Sequence, residues 1–298
     1  MSRSKKGLYM VMISGVVFGL MPSAVTFCYS QGVTASLVVL FRYAILSLTF
    51  IPAALKADKH WRGYKYHWKK LLALTSVGTA TPMLLFSSYK YLPTGISTTI
   101  HFMYPIVVVL ICMVVFHERL SKVKALCVAL CTVGIFLMLE APAQKISLVG
   151  LLIAFLSSIT WGCYIVILNK TDFSPLDSGQ VIFFVGIGSF FMITVYGVFT
   201  RGFSTSVTGI GWLVLLLSDF VIAVFGSAFF AIGTQYTDAQ SSAVASTLEP
   251  ITSVIVGASL LNEQLSIHAV FGIAAILAAI MILAISKSKE TIAAKEKE

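Results

Sequence analysis

Residues 100–121, IHFMYPIVVVLICMVVFHERLS, and residues 244–266, VASTLEPITSVIVGASLLNEQLS, decide how this chain folds. A shift of 145 positions lays Pro105 on Pro250, Glu118 on Glu263, Leu120 on Leu265 and Ser121 on Ser266, and beside these tracts it lays Tyr91 on Tyr236. Each tract is an apolar run long enough to span a bilayer, with a proline inside it and a polar, glutamate-containing turn after it. Proline removes a backbone donor and kinks a helix. In lipid the freed carbonyl must find a neighbouring helix, water or a ligand, so such helices belong beside protein or a wet cavity. A purely structural kink is the plain alternative.

Working outward, a shift of 143 lays Phe18 and Gly19 on Trp161 and Gly162, which carries the match to the start of each half. The chain holds ten apolar runs, over residues 8–28, 34–54, 71–89, 94–116, 123–139, 148–168, 180–200, 211–231, 239–261 and 267–285. Five fall in each half. Because five is odd, a second copy enters the membrane from the opposite face, an arrangement many secondary transporters share. The expected fold is an all-α integral membrane protein with ten transmembrane helices as two inverted five-helix repeats. These occupy residues 1–140 and 141–286, and a charged tail fraying into solvent is expected over residues 287–298.

Composition agrees. Of 298 residues 58% are hydrophobic and 11% charged, whereas soluble domains carry about 25% charged residues; mean hydropathy is +0.93. No room is left for a soluble catalytic domain. The first apolar run is too long for a signal peptide and lacks a small-residue cleavage site, so it reads as a membrane helix. With the N-terminus in the cytoplasm, 17 of the 21 lysines and arginines lie inside, only Lys90, Lys145 and Arg201 lie outside, and Arg42 sits within a span. That asymmetry orients the chain with both termini cytoplasmic. The net charge of +9 is therefore spread over cytoplasmic segments and does not form a nucleic-acid-binding patch.

Positions 97, 101, 104, 108 and 112 fall within about 80° of one another on a helix. They form a stripe of Ser97, His101, Tyr104, Val108 and Cys112, whose counterparts are Ser242, Ser246, Glu249, Ser253 and Gly257. Two polar stripes at equivalent places are expected to line one central cavity. Glu249 lies near mid-membrane, where an ionised carboxylate costs about 2.5 to 3.5 kcal/mol even on the lenient insertion scale. It must be protonated, hydrated or paired, and it can serve as a proton carrier or as the partner of a cationic substrate group. The alternative is a carboxyl bonded to backbone freed by Pro250. Arg42 and Asp219 are the other intramembrane charges, at similar depth below the outer surface, which permits a pair acting as clamp, gate or substrate contact. His101 reads as a bonded core histidine or a proton relay. Trp161 and Tyr104 gain weight from their repeat positions as cavity-wall aromatics. Glu118 and Glu263, with Ser121 and Ser266 as N-caps of the following helices, read as structural.

The five cysteines, Cys28, Cys112, Cys127, Cys131 and Cys163, read as packing residues. Cys127 and Cys131 share a helix face but lack a third ligand, so no metal site is expected. Phosphate-loop, HExxH, GxSxG and calcium-loop motifs are absent from the sequence, and no cofactor or enzymatic activity is expected. Gly186 and Gly188 form a GxG fragment that reads as a close-packing site.

The two tracts, with Arg42 in FRYAILSL and the WGCYIVILNK tract beginning at Trp161, resemble the EamA-type transporters of the drug/metabolite transporter superfamily. The resemblance covers the whole chain. It implies ten helices in inverted repeats, a central cavity, and secondary transport, often export of amino acids or related metabolites. Glu249 fits the family's Glu-Pro pair, while Tyr104 stands where the first half can carry an acid. The expected partners are a small-molecule substrate, a proton and membrane lipid, in the plasma membrane. A membrane-embedded metabolite receptor or assembly factor without transport is the competing reading.

Overall fold

The computed structural model describes residues 3–55, 61–92, 94–137, 147–174, 176–203, 206–260 and 267–295. Lys145, Glu263, Leu265 and Ser266, named above, lie outside the described residues.

Long apolar runs in lipid satisfy their backbone groups internally, and helices are the way one segment does so alone. Among the described residues the regular elements are all helical, α1 (Arg3–Phe18), α2 (Met21–Ser30), α3 (Ala35–Leu55), α4 (Trp61–Ser88), α5 (Thr94–His101), α6 (Tyr104–Val114) and α7 (Lys122–Leu137), followed by α8 (Leu148–Lys170), α9 (Ser178–Phe199), α10 (Gly209–Val221), a π-helical segment (Ile222–Ala228), α11 (Phe229–Tyr236), α12 (Ala239–Ala245), α13 (Leu248–Leu260) and α14 (Ile267–Lys295). Seven stretches are long and apolar enough to cross a membrane, namely Arg3–Ser30, Ala35–Leu55, His67–Ser88, Ile96–Val114, Leu148–Lys170, Ser178–Phe199 and Gly209–Tyr236. The protein is a multi-pass membrane protein. The remaining expected runs correspond to α7, to α12 with α13, and to α14, which is helical to Lys295.

Three rods are broken, and each break precedes a proline. Pro22 and Pro105 lie in the first turn of α2 and α6, and Pro250 is the third residue of α13. Here the missing N–H costs no helical bond, so a chain forced to interrupt a helix places proline where the next helix begins. The interruptions fall at Gly19–Leu20, Phe102–Met103 and Ser246–Thr247, upstream of the prolines. Short i→i−3 bonds bridge all three, Leu20 N to Val17 O at 3.2 Å, Met103 N to Ile100 O at 3.1 Å and Thr247 N to Val244 O at 3.2 Å. The first break was not foreseen as a break within residues 8–28.

Polar N-caps start the unbroken helices. Ser147 accepts from Gly150 N at 3.3 Å, Thr208 from Gly211 N at 3.1 Å, and Asp177 forms a capping box with Gln180. Ser121 accepts from Lys124 N at 3.3 Å at the start of α7, as its spacing suggested.

The connections gather at two ends of the bundle. At one, Arg3 Cζ stands 4.4 Å from the centre of the Tyr236 ring, His67 Nε2 lies 2.8 Å from Ser174 O, Lys124 pairs with Asp238 at 3.0 Å, and Lys170 pairs with Glu118. At the other, Thr34 Oγ1 donates to Gly202 O at 2.6 Å and Thr208 Oγ1 to Gln31 Oε1 at 2.7 Å. Along the bundle α3 packs on α9, α7 on α14, α4 on α8 and α1 on α11. At the α1–α11 crossing a Cβ on Gly7 would stand 2.7 Å from Gly233 O, so only glycine lets these backbones meet.

Candidate functional site

The broken helices converge on a cavity with an empty volume of about 720 Å³, counting its opening. Its wall is drawn from both halves: Phe18 and Met21 flank the first break, Arg42 and Tyr43 come from α3, and Pro82 and Leu85 from α4. His101 ends α5, Trp161 and Tyr164 come from α8, Phe230 from α11 and Glu249 from α13.

Five pairs of repeat counterparts share this wall: Phe18 with Trp161, Met21 with Tyr164 and Arg42 with Val185 at a shift of 143, Pro82 with Ser227 and Leu85 with Phe230 at 145. Apart from Val185 and Ser227, the second half supplies the aromatic member where the first has a smaller ring or an aliphatic side chain. Trp161 is the hub. It stacks on Tyr164 at 5.1 Å and 5°, lies 4.8 Å from Phe230, and meets Phe18 edge to face at 6.1 Å. Its Nε1 is buried with no hydrogen-bond partner among the described residues.

Glu249 enters this space from the first turn of α13, just after the Ser246–Thr247 break. Its side chain makes no hydrogen bond or ion pair among the described residues although the residue is only 5% exposed. The expected alternative, a carboxyl bonded to backbone freed by Pro250, is therefore not what the geometry holds. Its main chain is fixed: Glu249 N donates to Ser246 O at 3.0 Å, and a Cβ on Gly19 would come within 2.6 Å of Glu249 O. The first break thus packs backbone to backbone against the residue that carries the carboxylate.

Arg42 and Asp219 meet. Nε and Nη2 both donate to Asp219 Oδ1 at 3.3 Å, the Asp219 Oδ2 atom is buried without a partner, and the guanidinium carbon lies 5.4 Å from the centre of the Phe86 ring. Arg42 borders the cavity, whereas Asp219 stands behind it. Arg42 also acts electrostatically on Glu249, whose carboxylate makes no hydrogen bond or ion pair among the described residues.

His101 Nδ1 lies 2.9 Å from Ser157 Oγ, which also donates to Ala154 O at 2.6 Å. A hydroxyl has one proton to give, so Ser157 accepts from His101 and the neutral ring carries its proton on Nδ1. By the same logic Tyr104 OH donates to Ser246 Oγ at 2.7 Å, because Ser246 already donates to carbonyls of its own helix.

Of the residues expected in the cavity, the structure brings His101, Trp161 and Glu249 to its wall, and Arg42 beside them. Tyr104 and Ser246 instead bond each other between α6 and α12, and Ser97 and Ser242 are buried off the wall with unpartnered hydroxyls. That corrects the single-stripe expectation. The break at Phe102–Met103 resets the helical phase between residues 101 and 104, so a stripe drawn on a continuous helix does not hold. The sequence reading passed over Phe18, Met21, Leu85 and Phe230 as site residues. The signal was present, since they are counterparts of wall residues at the same two shifts. Cys127 and Cys131 bond to Ala279 O and Thr247 Oγ1 at 3.3 and 3.4 Å, as packing residues do.

Comparison with known proteins gives three likenesses. The model of the EamA-like transporter family matches residues 5–140 and again residues 148–285. The protein described as uncharacterized transporter YvbV, from Bacillus subtilis (strain 168), is 29% identical over 204 residues, which cover 65% of this chain and 64% of that protein. A solved structure described only as a crystal structure of a protein superposes with a TM-score of 0.76 at 16% identity, over 93% of this chain and 96% of the other, and shares the fold.

Proposed function

The chain belongs to the EamA-like transporter family, and from that premise we propose that it is a secondary-active permease. In this reading it carries a small polar or amphipathic metabolite, such as an amino acid or related compound, across the cell membrane by alternating access. It crosses the membrane ten times as two inverted five-helix repeats, with both termini in the cytoplasm.

The contacts between halves support the inversion. Exchanging the halves turns the α4–α8 contact into α11–α1, turns the contacts of α5 and α6 with α8 into those of α12 and α13 with α1, and returns α3–α9 and α7–α14 to themselves. The glycines repeat the rule. A Cβ on Gly162 would meet Val107 at 2.8 Å and one on Gly19 would meet Thr252 at 2.4 Å, and Thr252 is the counterpart of Val107 at a shift of 145. Gly150 meets Tyr91 as Gly7 meets Tyr236. Two half-bundles that make the same contacts in exchanged roles can open a shared cavity to either face in turn.

The observation that carries the transport reading is the Glu249 carboxylate, with no hydrogen bond or close ion pair among the described residues, on a cavity wall built from both halves. A charge left bare at this depth is costly, so occupancy of Glu249 by a proton or a cationic group decides the energy of the empty and loaded states. A ligand shifts a conformational balance only by differing in affinity for the two states, and such a carboxylate supplies that difference when the opening changes sides. Glu249 is the coupling or recognition residue, with His101 and Trp161 beside it. Tyr104, Ser97, Ser242 and Ser246 hold the broken helices from behind. The Arg42–Asp219 pair is a clamp or gate on one side of the cavity.

The test is counterflow in liposomes, where a receptor or assembly factor gives none. Glu249→Gln abolishes exchange or its pH dependence, while unchanged exchange and pH dependence remove Glu249 from the mechanism.

A further inference from the structure

The ties that join the two halves differ in kind between the two ends of the bundle. At the end that carries the N-terminus, charged groups of one half meet the other half: Lys124 pairs with Asp238 at 3.0 Å, Lys170 pairs with Glu118, and Arg3 lies over the Tyr236 ring. Gln240 Nε2 also donates to Glu118 Oε2 at 3.4 Å. At the opposite end the ties between halves described above are neutral, Thr34 to Gly202 O and Thr208 to Gln31.

The repeat shows that this difference is written into the sequence. A shift of 145 turns Lys124 into Ala269, Asp238 into Pro93, Glu118 into Glu263 and Tyr236 into Tyr91, and a shift of 143 turns Arg3 into Ile146 and Lys170 into Phe27. All three cations therefore fall on uncharged residues. When the halves exchange roles to close the opposite face, none of these pairs is re-formed there as an ion pair.

Ions in solution reach one set of charges and not the other. The Lys124, Asp238, Lys170 and Glu118 side chains are 22 to 33% exposed, so dissolved salt screens them. Arg42 and Asp219, at 5% and 1%, are shielded from it.

From this asymmetry we propose that the Lys124–Asp238 and Lys170–Glu118 pairs form a one-sided ionic latch, which holds the N-terminal end of the bundle shut and is released by rising ionic strength at that face, while the opposite closure is indifferent to salt. The inference rests on the alternating-access reading and adds a regulation to it: solute reaches the cavity from the latched face more readily as the salt there becomes more concentrated.

Cys112 reports the latch. It is 0% exposed, its carbonyl accepts from Glu118 N at 3.0 Å, and Glu118, Lys170 and Asp238 all act electrostatically on its thiol. The test uses purified full-length protein in which Cys28, Cys127, Cys131 and Cys163 are replaced by alanine. Ser36→Cys, in a background that also lacks Cys112, reports the other end, where Ser36 is 5% exposed beside Gly202. Raising potassium chloride from about 0.1 M to about 1 M shortens the screening length from about 10 Å to about 3 Å. Labelling by a water-soluble maleimide, corrected for the reaction of a free thiol, then accelerates about two- to tenfold at Cys112 and is unchanged at Ser36→Cys. Combining Lys124→Gln, Asp238→Asn, Lys170→Gln and Glu118→Gln makes Cys112 label rapidly at low salt and removes the salt response. Lys170→Glu together with Glu118→Lys restores slow, salt-sensitive labelling that either single reversal loses, which carries the test by itself if the fourfold variant does not fold. Melting curves close to that of the parent protein show that a variant is folded.

Salt-independent labelling of Cys112 overturns the inference, as does a salt response that survives neutralisation of the pairs or the double reversal failing to restore the latch. Equal acceleration at Ser36→Cys overturns it too, because salt then loosens the whole bundle. If a solute gives counterflow while Cys112 labelling ignores salt, the latch fails and the permease reading stands. If Cys112 responds through the pairs but no solute gives counterflow, the latch stands and the permease reading fails.

Discussion

Phe18 and Trp161 occupy the same place in the two halves of the chain, 143 positions apart, and in the folded protein they meet edge to face with ring centres 6.1 Å apart. Both border the cavity. Their neighbours Gly19 and Gly162 bring each first helix of a half onto a broken helix of the other half.

Glycine is required more strictly at residue 19 than at residue 162. A Cβ on Gly19 would stand 2.4 Å from Thr252 Cβ and 2.6 Å from Glu249 O, whereas one on Gly162 meets Val107 Cγ1 at 2.8 Å, the end of a side chain that can turn. Overpacking of this kind costs about 1 to 3 kcal/mol. Thermal unfolding in detergent places Gly19→Ala at the upper end of that range and Gly162→Ala at the lower end; equal melting temperatures contradict the difference.

Removing one member of the Arg42–Asp219 pair leaves an uncompensated buried charge, since the two residues are 4% and 1% exposed. Arg42→Gln or Asp219→Asn alone destabilises by about 3 to 5 kcal/mol, and the double variant recovers most of that loss. A double variant that is as unstable as the sum of its parts shows that the two residues have separate partners.

The pairs Lys124–Asp238 and Lys170–Glu118 sit at one end of the bundle with a fifth to a third of each side chain exposed. Each contributes about 0.2 to 1 kcal/mol and is weakened by salt. Asp238 also caps α12 by accepting from Ser241 N at 2.9 Å. Asp238→Ala therefore costs about 1 kcal/mol more than Lys124→Ala, and Asp238→Asn keeps much of the cap. A double-mutant cycle on melting curves, repeated at high salt, checks the division.

Reporter cysteines test orientation in a background where the five native cysteines are replaced. Ser4→Cys and Asp172→Cys are labelled from the cytoplasmic face and Thr208→Cys and Lys90→Cys from the outer face. Labelling of residues 4 and 208 from the same side contradicts the up-and-down path.

Much of this molecule was legible in the amino-acid order because membrane burial writes itself locally. A run of apolar residues long enough for the hydrocarbon core becomes a helix whatever surrounds it. Pro105 and Pro250 marked two of the three helices that break, although not the residues at which they break, because the loss of helical geometry is taken up by the turn before the ring. Arg42 and Asp219 were flagged by charge and depth, and their meeting needed the α3–α10 contact to become visible.

The amino-acid order alone determined the membrane class, the duplication, the positions of the apolar runs and the presence of a carboxylate at mid-membrane, since each follows from composition, spacing or position along a single segment. Tertiary structure alone decided which side chains face the cavity. The breaks at Phe102–Met103 and Ser246–Thr247 turned Tyr104 and Ser246 toward each other, while contact between the two halves brought Phe18, Trp161, Phe230 and Glu249 to one cavity wall. Facing is a property of how helices pack against one another, and no segment carries the rotation of its neighbours in its own residues.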